Sequence, residues 1–240
     1  MFFKLKKNPE KIQRGTKLTQ QQEFNNIMKF AEEIFQESDW NESSGAKHPI
    51  FEVIYILGRK IQSDYMVNLL KVEDESNLKS ILPPFMFEKN TMLTQDGRQF
   101  SDLISTLDIK RKANLRNDTV LPWAWKRQRL IKAITNIGQC RKLGPWKEDE
   151  LNHSLELWLP IGLYWVWSGN HSLSVGILQG NGTISTEAVN DISEIYNYVT
   201  CDGMYYFREF DKSIIGEVKN IEIAAIFEIG RLMTKHNITY

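Results

Sequence analysis

The chain has 240 residues, 42% hydrophobic and 25% charged, a composition that suits a globular fold with a sizeable core and excludes general disorder. No apolar run approaches the roughly 18–20 residues a membrane-crossing helix needs. The formal charge is zero, which excludes a uniformly basic or acidic binding protein but conceals an uneven spread, since Lys110–Lys147 holds eleven Lys or Arg and one acid, Asp118, and leaves 19 basic and 29 acidic residues elsewhere.

Met1-Phe2-Phe3-Lys4-Leu5-Lys6-Lys7 lacks an apolar stretch followed by a small-residue cleavage site, so no signal peptide is expected. Cys140 and Cys201 form no CxxC pair, and a reduced, cytoplasmic protein is the expectation. Thr19 can cap a helix whose apolar face runs through Phe24, Ile27, Met28, Ala31, Ile34 and Phe35. Trp40–Gly45 reads as a loop. A second helix is expected after His48-Pro49, with Ile50, Ile54, Leu57, Ile61 and Tyr65 on one stripe. Glu73-Asp74-Glu75 and Pro83-Pro84 interrupt regular structure. Gln95-Asp96-Gly97-Arg98 reads as a turn before a short helix over Phe100–Leu107.

The second half changes character, and six of the seven tryptophans fall between Trp123 and Trp167. Val120–Trp125 reads as extended, and Arg129–Gly138 as a helix that the glycine ends. Ser154–Leu159 alternates as a strand does, and Leu163–Trp167 is a β-branched and aromatic run ending at Gly169. A short helix over Leu173–Gln179 stops at Gly180-Asn181-Gly182. Thr183–Val189 reads as one strand, Met204–Phe210 and Ser213–Val218 as a hairpin, and Ile221–Met233 as a buried helix. The expected class is α+β, with a mainly helical region over 1–112 and a small mixed sheet with helices over 113–240.

One local pattern carries chemistry: a strand, then Ser168-Gly169-Asn170-His171-Ser172, then a helix. A glycine turn into a helix offers unpaired backbone N–H groups and the positive end of a helix dipole, which together suit an anion. Asn170 and Ser172 add hydrogen-bonding side chains that can also cap the helix. His171 adds an imidazole that titrates near neutral pH. His153 could face the same cleft. Glu187 and Asp191 could hold a divalent metal, or serve as a strand-face acid and a cap. The tryptophan cluster reads mainly as core. No HExxH, Walker A, GxGxxG or GxSxG pattern occurs, and the four histidines form no zinc set.

In order, these segments resemble the ParB and sulfiredoxin-like fold superfamily over about residues 115–200. Leu121–Arg129 resembles its Pro/Arg-containing first box, Leu130–Gly138 the helix that follows, and Trp167–Ser172 its Gly-x-His-Arg turn. Ser172 stands where that superfamily usually has Arg, and no catalytic cysteine precedes His171, so sulfiredoxin activity is not implied. The whole chain is also similar to a bacterial family of unassigned function that shares the Pro-Trp segment and the Gly-Asn-His-Ser turn. The superfamily resemblance implies a phosphate-bearing ligand, a nucleotide with Mg²⁺ for example, held by Gly169, Asn170, Ser172, Arg127 and Arg129. His171 would be the catalytic residue of any nucleotide-dependent hydrolase or transferase. The alternatives are a non-catalytic module that contacts protein or, through Lys110–Lys147, nucleic acid, and a nuclease-type effector.

Overall fold

The computed structural model describes residues 18–41, 45–78, 86–87 and 90–240. The Met1–Lys7 start, Glu42-Ser43-Ser44 of the first loop and the Pro83-Pro84 interruption lie outside the described residues. The class is α+β, as the sequence indicates. Helix α1 (Gln20–Glu37) begins at Thr19, whose Oγ1 accepts from Gln22 N at 3.2 Å while Gln22 Oε1 accepts from Thr19 N at 2.9 Å. This reciprocal pair satisfies two donors at the helix start. Helix α2 (Ile50–Lys71) follows His48-Pro49.

A five-stranded sheet organises the molecule, in the order β1-β7-β4-β5-β3. Its strands are β1 (Ser105–Leu107), β3 (Thr119–Leu121), β4 (Ser154–Leu159), β5 (Leu163–Ser168) and β7 (Ala188–Asp191). β3 runs parallel to β5 and β4 parallel to β7, while β4 and β5 form an antiparallel hairpin. A two-stranded ribbon pairs β2 (Lys112–Asn114) with β6 (Thr183–Ser185). The third sheet joins β8 (Val199–Cys201), β9 (Tyr205–Arg208) and β10 (Ile214–Glu217).

Alternation along β5 divides the core in two. Leu163 and Trp165 join a large apolar cluster with residues of α1, α2 and α5 (Ile221–Lys235). Tyr164 and Val166 belong to a second cluster with Leu173 and Ile177 of α4 (Asn170–Gln179). Helix α3 (Arg127–Asn136) packs on α4. The 112/113 division falls inside β2, and α1 and α2 both pack against α5.

Two segments differ from their sequence pattern. Phe100–Leu107 is a 3₁₀ turn over Phe100–Leu103 followed by strand β1, because Asp102 Oδ2 accepts from Gln99 N at 2.8 Å and holds a tight turn. Thr183–Val189 divides into β6 and β7, since Thr186 bonds the Arg111 backbone while Glu187 N donates to Leu155 O. The chain there passes from one sheet to another, which an alternating pattern does not encode. No described helix is long and apolar enough to cross a membrane.

Candidate functional site

Parallel pairing of β3 and β5 brings two strand-to-helix crossings to one end of the sheet. The first runs through Pro122–Lys126 into α3, the second through Gly169 into α4. Gly169 holds φ +77°, the left-handed region that suits glycine, and a Cβ there would lie 2.2 Å from His153 Cδ2. Two hydrogen bonds stitch the crossings together. Asn170, 4% exposed, accepts from Trp123 N through Oδ1 at 2.5 Å. His171 Nε2 accepts from Lys126 N at 3.1 Å.

Both helices start without the usual protection. Neither α3 nor α4 has a side-chain cap or an acid in its first turn, whereas α1, α2 and α5 carry Glu23, Glu52 and Glu222 there. The amides of Arg127–Arg129 and Asn170–Ser172 find no acceptor among the described residues. Helix α3 adds Arg127 and Arg129 to its own positive end, against the dipole preference. Among the described residues none of the eleven cations of Lys110–Lys147 makes an ion pair; Asp118 pairs instead with Lys47 at 2.9 Å.

The start of α4, with Arg129 of α3, faces a cleft of about 530 Å³. Gly169, Asn170, His171, Ser172 and Arg129 all line it, together with Lys147 and one acid, Asp149. Arg127 does not line it. The far wall comes from the connection between α3 and β4. Trp146 lies buried over Gly182, whose φ of +109° and missing Cβ make room for the indole. His153 stacks on Trp146 at 5.2 Å. Sequence reasoning gave His153 a minor place and missed Trp146 and Lys147 as cleft residues. A signal was present in Asp149–His153: Asp149 N donates to His153 Nδ1 at 3.0 Å, a short-range bond that turns the ring back toward the Gly169 turn.

Hydrogen bonding sets what each side chain can offer. Because His153 Nδ1 accepts an amide, its neutral ring carries hydrogen on Nε2, 3.2 Å from Ser172 Oγ. Trp146 Nε1 also donates to that oxygen, at 3.0 Å. Ser172 therefore accepts twice and keeps its own hydroxyl hydrogen as a donor, and His153 is in the wrong tautomer to activate it as a nucleophile. His171 accepts at Nε2, so its neutral ring carries hydrogen on Nδ1. Burial, and then the charge of Arg129, hold its pKa below the ordinary value. Proton abstraction by His171 would first require Lys126 N to release Nε2. As the site stands, its polar groups are mostly donors, an arrangement that solvates an anion.

Among the described residues no three His, Cys, Asp or Glu side chains are grouped as metal ligands. Glu187 accepts from Ser154 Oγ, and Asp191 Oδ1 accepts from Ser193 N at 2.8 Å. Of the clustered tryptophans, Trp146, Trp158 and Trp165 are buried, while Trp125 and Trp167 remain 45% and 49% exposed.

Residues 9–240 match the model of a family of unknown function (DUF6710), and the chain belongs to that family. No curated protein and no solved structure matches the chain.

Proposed function

We propose that this member of the DUF6710 family is a phosphate- or nucleotide-binding protein that seats an anionic group on the adjoining N-termini of α3 and α4. One observation carries the reading: these two helices start side by side without side-chain caps or first-turn acids, and among the described residues the cations beside them make no ion pair. Helix starts that satisfy only stability are capped and made acidic, as α1 is. Departure from that rule at two adjacent helices costs stability and favours an anion brought from outside. Gly169, Asn170 and Ser172 hold the anion through amides and a hydroxyl, Arg129 and Lys147 supply charge, and His171 donates through Nδ1.

The order β3, α3, β4, β5, α4, β7 is the order the ParB and sulfiredoxin-like resemblance implies, and it supports an assignment to that fold. The proposed role is binding in the cytoplasm, with hydrolysis or transfer conditional on freeing His171. A second reading, a module that contacts nucleic acid or an acidic protein, draws on the basic segment, where ten of the eleven cations are exposed. Calorimetric titration with ATP, CTP, GTP and ADP, each with and without Mg²⁺, tests the first reading. Saturable binding of at least one is the expected result; no heat in any condition removes the reading.

A further inference from the structure

Beside the cleft lies a second cavity of about 250 Å³, lined by Trp123, Trp125, Trp165, Trp167, Leu121, Val166 and Asn170. Its walls carry no charged side chain. It shares Trp125 and Asn170 with the anion cleft, so the two spaces adjoin across the start of α4. Asn170 accepts from Trp123 N, which fixes one tryptophan of this slot to the turn that offers free amides. Arg129 lies over the Trp125 ring at 6.0 Å, on the residue the two spaces share.

The chemistry of the walls selects the occupant. Four indoles line the slot, and half-exposed indoles at Trp125 and Trp167 leave apolar area uncovered. A cavity of about 150 Å³ holds a benzene molecule, so the slot has space for a planar ring system of one or two rings. A ligand that fills both spaces joins a flat aromatic ring to a phosphate through a short polar spacer. A nucleotide has that construction.

We propose that the tryptophan slot receives the base of a mononucleotide whose phosphate rests on the α4 start, an assignment that rests on the phosphate reading above. The base lies between indoles, held by stacking and by burial of its faces. Stacking discriminates poorly among bases, because each presents a π-face, so purine and pyrimidine nucleotides bind within a narrow range of affinities.

Calorimetry on the full chain and on Trp167→Ala tests this with four ligands: pyrophosphate, ribose 5-phosphate, AMP and CMP. Trp167 lines the slot and not the cleft. The expected result is that AMP and CMP bind roughly 5- to 150-fold tighter than ribose 5-phosphate, the factor one stacked base contributes. Trp167→Ala should lose most of that advantage and bind pyrophosphate as the parent does, which also shows that the variant is folded. Pyrophosphate binding without a base advantage, or an advantage that survives Trp167→Ala, overturns the slot assignment and leaves the phosphate reading standing. Failure of every ligand, pyrophosphate included, overturns both. A single-stranded oligonucleotide without terminal phosphate that binds more tightly than AMP and CMP overturns the mononucleotide assignment.

Discussion

The two cleft histidines illustrate how a neighbouring amide decides the chemistry of a ring. Lys126 N occupies Nε2 of His171, and Asp149 N occupies Nδ1 of His153. The two imidazoles are therefore opposite tautomers when neutral, and each turns a donor, not a lone pair, toward what remains. Long-range proton–nitrogen NMR near pH 7.5 should show His171 protonated on Nδ1 and His153 on Nε2. The same tautomer at both positions would contradict the hydrogen bonding described here. The choice of Gly169, Asn170 and His171 as candidate site residues needed only local pattern, since a strand followed by Gly-Asn-His-Ser already implies a turn with free amides. Arg127 and Arg129 stood on equal terms in the sequence, and only the orientation of α3 places Arg129 in the cleft without Arg127.

At the level of elements, α3 shows most clearly a choice against stability. Its first turn contains Arg127 and Arg129 and no acid. Replacing Arg129 by Glu should stabilise the helix by about 0.3–1 kcal/mol through its dipole, and it should weaken pyrophosphate binding by at least ten-fold because an attractive charge becomes a repulsive one. Urea unfolding and calorimetry on the same preparation separate the two effects. Lower stability with unchanged affinity would show that Arg129 serves the fold. Most elements were legible because their periodicity is local, as with the apolar stripe of α2 and the nearly continuous apolar surface of α5. The division of Thr183–Val189 was hidden because its cause lies at Arg111 and Leu155, far away in sequence. The Trp146 and His153 wall was hidden for a similar reason, as its position depends on the glycine at 182 that admits the indole.

Across the whole molecule, the imidazoles of His48, His153 and His171 have lowered pKa values. His48 is buried, with its pKa lowered first by burial and then by His236; it stacks on Phe35 at 5.0 Å, and its Nδ1 accepts from Ile50 N at 3.0 Å at the start of α2. His153 is lowered by burial, against an upward pull from Asp149 and Glu148. His171 is lowered by burial and Arg129. Each folded value lies below the ordinary 6.5, so the unfolded chain binds more protons between the two. Their contribution is therefore fully present above about pH 6.5 and lost as the pH falls through the folded values. Urea midpoints measured from about pH 8 down to pH 5 should stay level and then decline below 6.5. The His48→Gln variant, lacking one of the three imidazoles, should show a shallower decline. A midpoint that rises on acidification would contradict the buried neutral state of these rings.

The central claim, that the adjoining starts of α3 and α4 form an anion seat, is tested most directly by following backbone amide resonances as pyrophosphate is added. Saturable shifts should centre on Asn170, His171 and Ser172, with smaller ones at Gln128 and Arg129. Shifts that leave those amides unmoved, or that gather on the exposed lysines alone, would contradict it.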